Sequence, residues 1–274
     1  MATPPRRRLP TIQTARIDAG QYGFSGDPRA AGSVDVAVRQ FDGFPPGALS
    51  FFKELWANNR RDWFEGHRQD YSEFILQPAQ AFTVALGERL KEISSGIEYD
   101  TRTNGRGSIK RIYRDVRFSK DKTPYKTHLG IVFRQGEGGS KTENPAFYFR
   151  LDSEGGAVFA GMHEFPRSLL QRYRDAVVDE ELGDKLQQAI SAITESGLCE
   201  VGVEHYKRVP PGYDKSHRRA RLLRFNALFA SSPVVDPEVL NDEGLVETCF
   251  EYCRTMAPVF VWLRALTAGA HRGD

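Results

Sequence analysis

The sequence predicts an α+β fold: an antiparallel sheet of about four to six strands packed against N-terminal and C-terminal helices in a single domain. Apolar residues recur at helical spacing up to about residue 94, then alternate with a period of two from about residue 108, and return to helical spacing after Pro166. Strands gathered into one block, with short turns between them, argue for antiparallel pairing and against a doubly wound parallel sheet. At 274 residues the chain is long enough for a sizeable core.

Each element has its own signal. Residues 1–43 are rich in Gly, Pro, Ala and Arg without apolar periodicity, and read as a poorly ordered extension ahead of a domain at 44–268. Its first residues, MATPPRRRLPTIQTAR, lack the apolar core of a secretory signal, and their prolines oppose an amphipathic targeting helix, so a tail is expected. ALSFFKELWANN repeats Leu49, Phe52 and Leu55/Trp56 at helical spacing. A longer helical region over about 62–94 follows, with Asp62 as its N-cap and a kink at Pro78.

RIYRDVRFSKDKTPYKTH (111–128) begins as an alternating strand, with Ile112, Val116 and Phe118 on one side, and runs into a turn at Pro124. THLGIVFR and AFYFRLD are further strands, and FYFRLD with AVFAGM forms a hairpin around Gly155-Gly156. Helices are expected over SLLQRYRDAVVD, ELGDKLQQAISAITES and about 242–266, separated by the irregular basic stretch 206–224.

With a net charge of +2, no global basicity demands a nucleic acid, yet the charge is uneven. Cations crowd 102–126 and 207–224, whereas 179–204 and 236–251 lean acidic, which suggests one electropositive face. Cys199, Cys249 and Cys253 are too few for a disulfide framework and favour a reducing, cytoplasmic setting. Nothing approaches the length of a transmembrane span, so no membrane partner is expected.

The basic strand–turn is the sharpest candidate site. Arg111, Arg114, Arg117, Lys120, Lys122, Tyr125 and Lys126 place guanidinium forks and ammonium groups on an ordered scaffold, suited to phosphate or carboxylate oxygens. Arg114 shares its strand face with apolar residues and needs a partner, either an acid from a helix or a ligand. In the second block, YKRVPPGYDKSHRRARLLR, Arg208 and Arg224 add ligand-binding cations. Tyr213, Asp214 and His217 could form an acid–base group there; a turn in which Asp214 caps the helix after it is the commoner explanation. Arg218, Arg219 and Arg221 read as a solvated face.

NNRRDWFEGHRQDY, RIYRDVRFSKDKTPYKTH and YKRVPPGYDKSHRRARLLR together resemble a family of bacterial and fungal proteins, domain of unknown function 2461. The resemblance covers about 44–266 and implies a single-domain protein, but carries no reaction with it. No Walker loop, dinucleotide fingerprint, HExxH or GxSxG is present, and the six histidines lack ligand spacing, so neither a metal nor a cofactor is indicated.

Three readings remain, the first foremost. The chain binds a phosphorylated or otherwise anionic small molecule, with catalysis undetermined. Alternatively it is a nucleic-acid-associated module, or a structural protein whose charges pair internally.

Overall fold

A computed structural model describes residues 40–136, 144–202 and 204–268. The sheet arises where alternation is clearest: β1 (Ile97–Glu98), β2 (Leu129–Gln135), β3 (Ala146–Asp152), β4 (Gly155–Met162), β5 (Glu200–Val201) and β6 (Leu228–Ser231). Its six strands run in the order β1-β2-β3-β4-β6-β5, every neighbour antiparallel. The expected α+β class and strand number hold.

Helices α1 (Gly47–Ala57), α2 (Arg61–Gly66), α3 (Arg68–Asp70) and α4 (Gln77–Leu90) precede the strands. After β4 come α5 (Arg167–Val178) and α6 (Glu180–Glu195), and after β6 come α7 (Pro237–Leu240) and α8 (Leu245–Ala268). One sheet face is buried beneath them. Phe147 stacks on Phe260 of α8 at 4.4 Å, while Phe149 lies 4.5 Å from Phe82 of α4 and stacks on Phe44 at 5.9 Å. Val158, Ala160, Leu228 and Ala230 continue this face. Phe41, three residues before the expected start of the domain, is buried against Phe44 and Phe82.

Four local expectations need correction. Residues 111–118 do not form a regular strand; the segment is tied to the chain by isolated bridges, Ile109 with Ile131 and Tyr113 with Tyr125. The reason is opposite Arg114: its N–H reaches Pro124 O, but Pro124 has no N–H to return. Beyond that point Asp115 and Asp121 accept from the amides of Arg117 and Thr123, replacing the ladder with two tight turns. Phe118, expected on the core side, is therefore 93% exposed.

The irregularity expected at Pro78 lies just before it, as a wide π-helical turn over Tyr71–Leu76, while Pro78 occupies the first turn of α4, where its missing N–H is harmless. Asp62 lies within α2 and pairs with Arg60, the residue actually at the N-cap. The β3–β4 hairpin turns at Ser153-Glu154, since Gly155 and Gly156 already pair with Asp152 and Leu151.

Candidate anion-binding site

The strand–turn largely neutralises itself. Arg114, only 13% exposed, donates to Asp121 (2.6 Å), to Thr123 O (3.2 Å) and to the Thr123 hydroxyl. Its partner is thus an acid of its own turn, not of a helix. Arg117 pairs with Asp115 at 2.6 Å. Lys122 donates to Val116 O and Lys126 to Arg111 O, so both ammonium groups hold backbone carbonyls. Tyr125 is buried, stacked on Phe64 at 4.3 Å. Its peptide groups are held from both sides by Asn59, whose Nδ2 donates to Tyr125 O while its Oδ1 accepts from Tyr125 N. Arg111 and Lys120 remain exposed.

This pairing has a pH signature. The amide of Thr123, then Arg114 and the Thr123 hydroxyl, hold the Asp121 carboxyl at about 2 instead of its usual 3.8; bonds from Arg117 do the same for Asp115. A depressed carboxyl stabilises the turn above its unfolded value and loses that contribution as pH falls through its folded one. The turn is therefore expected to keep its structure through pH 4 and loosen only as pH falls toward 2. Amide exchange at Arg117 and Thr123 checks this: loosening already near pH 5 would contradict it.

The second basic block builds a groove. Lys207, Arg208, Val209, Lys215, Ala220, Arg221 and Arg224 line a cavity of about 420 Å³. Glu204 holds one side of it, bonding Arg221 at 3.0 Å and Arg224 at 2.8 Å. The amides of His205 and Tyr206 both donate to Arg224 O, fixing the rim. Lys207, Arg208 and Lys215 are exposed and have no acid partner among the described residues.

The support beneath the groove is Arg219, which corrects the expectation of a solvated face there. Its side chain is 1% exposed and donates to Val177 O (2.6 Å), Asp184 (2.5 Å) and Asp179 O (2.7 Å), binding the basic block to the α5–α6 corner. Gly183 makes room for it, since a Cβ there would collide with the guanidinium. Arg218 and Arg221 do lie at the surface, paired with Glu180 and Glu204.

Tyr213, Asp214 and His217 are each engaged elsewhere. The Tyr213 hydroxyl donates to Asp175 of α5 (2.7 Å) and accepts from Gln171; burial, then Asp175, pushes it up to about 12. Asp214 accepts from the amide and hydroxyl of Ser216, and its carboxyl is lowered by them. His217 Nδ1 accepts from the Arg219 amide at 3.1 Å. No hydrogen bond joins these three side chains among the described residues.

Of the predicted ligand residues, then, Arg208 and Arg224 share the groove, and Arg111–Lys126 cations lie on a separate segment that does not line it. Lys207 and Lys215 complete the groove; the sequence places both in the second basic block without counting them among the ligand residues, and between them Gly212 takes φ +90° to turn the chain back. The three cysteines are buried free thiols, and no cluster of three or more metal-ligating side chains occurs among the described residues. No described helix is long and apolar enough to cross a membrane.

Fold and groove together define an α+β protein with one helix-backed antiparallel sheet and a cation-lined surface cleft. The chain belongs to the family described as conserved hypothetical protein (DUF2461), whose model matches residues 47–262. No curated protein and no solved structure matches it.

Proposed function

We propose that this protein binds a phosphorylated or otherwise anionic small molecule in the groove of the second basic block. The observation that carries this reading is the lining itself: five cations, Lys207, Arg208, Lys215, Arg221 and Arg224, with no acid among the lining residues. Glu204 offsets part of the charge of Arg221 and Arg224, while Lys207, Arg208 and Lys215 are left for a ligand. Cations held this close repel one another, and an anion relieves that repulsion while accepting charge-assisted hydrogen bonds. The volume falls within the ~300–1,000 Å³ typical of small-molecule sites. Buried free thiols support a reducing, cytoplasmic setting.

The strand–turn serves this reading as a brace, with Arg111 and Lys120 as its outward cations. Its internal ion pairs support a structural part for the rest. Each charge-assisted contact is worth roughly 1.5–3 kcal/mol, so losing one weakens binding about tenfold or more. Titration calorimetry with phosphorylated metabolites is expected to show Arg208→Ala and Lys215→Ala each weakening the best ligand by about that factor, with unchanged melting temperature. Equal affinity in wild type and both variants would remove the groove from consideration.

A further inference from the structure

The sheet face turned away from the helices carries residues that neither the strand–turn nor the groove uses. Antiparallel register lays them out in rows. One row is Arg134, Ala146, Gly161 and Phe229; the next is Val132, Tyr148, Phe159 and Ser231; the third is Gly130, Arg150 and Ala157. Tyr148, Arg150, Phe159 and Phe229 are half-buried. Their rings contact one another: Tyr148 to Phe159 at 6.0 Å, Phe159 to Phe229 at 6.3 Å, with His163 5.6 Å beyond. Beside this aromatic row, Arg150 stands between a glycine and an alanine, so the floor around it is low. The Tyr148 ring leans over Gly130, where any Cβ would collide with its hydroxyl.

At the same corner the chain entering β2 brings Lys126 and His128. The His128 ring is half-buried and has no hydrogen-bond or ion-pair partner among the described residues. Burial, then Arg150 and Lys126, push its pKa down to about 3, so it is neutral. Lys126 is itself lowered by burial and by Arg111. Asp152, bonded to Arg150 at 2.9 Å, is the acid that faces this corner from β3. An unpartnered imidazole that feels the charge of two cations marks a corner where an anion would offset those charges and pair the ring.

We propose that Lys126, His128, Tyr148 and Arg150 bind the phosphate of a nucleoside monophosphate whose base lies on the row formed by Tyr148, Phe159 and Phe229. Arg150 and Tyr148 are two residues apart on β3, about 7 Å along the strand, the kind of gap a ribose spans between base and phosphate. Aromatic rings accept any base face, while the cations take the phosphate. This site shares no residue with the groove, so it stands or falls independently of it.

The test follows the His128 ring by NMR in histidine-labelled protein, assigned through His128→Gln, while inorganic phosphate or adenosine monophosphate is added. An anion between Lys126 and Arg150 favours the charged imidazole, so the His128 midpoint is expected to rise by more than one pH unit. Stacking is expected to make the nucleotide bind at least tenfold tighter than phosphate, an advantage that Phe159→Ala removes. Arg150→Gln is expected to abolish both responses, while amide spectra show the fold intact. A His128 ring unmoved by millimolar nucleotide and phosphate, an unchanged response in Arg150→Gln, or equal affinity for the two probes would overturn the proposal.

Discussion

Arg219→Ala is expected to destabilise the protein by about 3–5 kcal/mol, the range for removing one member of a buried charged network. For a chain of this size that lowers Tm by roughly 6–20 °C. The substitution takes the guanidinium away from Val177 O and Asp179 O, leaves Asp184 to Arg218 alone at the α5–α6 corner, and opens a void behind Gly183. Arg219→Lys keeps the charge but cannot reach three acceptors at fixed angles as the planar fork does, so most of the loss should persist. Gly183→Ala tests the same contact from the other side, because its methyl displaces the guanidinium. Thermal and urea melts of the three variants check this. A loss below about 0.5 kcal/mol in Arg219→Ala, the range of ordinary surface substitutions, would restore the solvated-face reading.

Phe149→Ala is the second large effect, at about 3–5 kcal/mol for emptying a buried phenylalanine site. Phe149 lies on β3, between two paired neighbours, and fills the space between Phe44 and Phe82. Its removal leaves a cavity where the N-terminal helices meet the sheet, and those rigidly paired strands cannot collapse to fill it. Phe118→Ala is the matched control. At 93% exposure that ring meets only the exposed Arg117 guanidinium, 5.7 Å from its centre among the described contacts, and its loss is expected to change stability by less than about 1 kcal/mol. Equilibrium denaturation of both variants checks the pair; equal losses would return Phe118 to the core.

That contrast shows where sequence reasoning succeeds. AFYFRLD is the strand its alternation predicts, with Phe147, Phe149 and Leu151 on the buried face, because each residue from Ala146 to Leu151 has a partner on both sides. Ile112, Val116 and Phe118 keep the same period, with Arg114 between them. There the pattern misled, because Pro124 lies across from Arg114 and ends the ladder, and pairing across a turn is not visible in periodicity.

The candidate sites follow the same division. The composition around Pro210-Pro211-Gly212 advertised cations, and the groove contains them. What distinguishes buried Arg219 from exposed Arg218 is a three-acceptor corner contributed some 40 residues earlier in the chain, which no local signal reveals. Likewise, Asn59 gripping Tyr125 across 66 residues, and His128 feeling the charge of Arg150, exist only once the chain is folded. Long-range contacts set the chemistry; short-range patterns set the elements.

The most direct test of the central claim is a thermal-shift panel of phosphorylated metabolites, nucleotides and short oligonucleotides, run at low and moderate salt on wild type and on Arg208→Ala/Lys215→Ala. Anion binding in the groove predicts that a small phosphorylated molecule at about a hundredfold its Kd stabilises the wild type by about 2.7 kcal/mol. The shift should survive moderate salt and shrink strongly in the double variant. Silence across the panel, or a shift given only by oligonucleotides and erased by salt, would contradict the account.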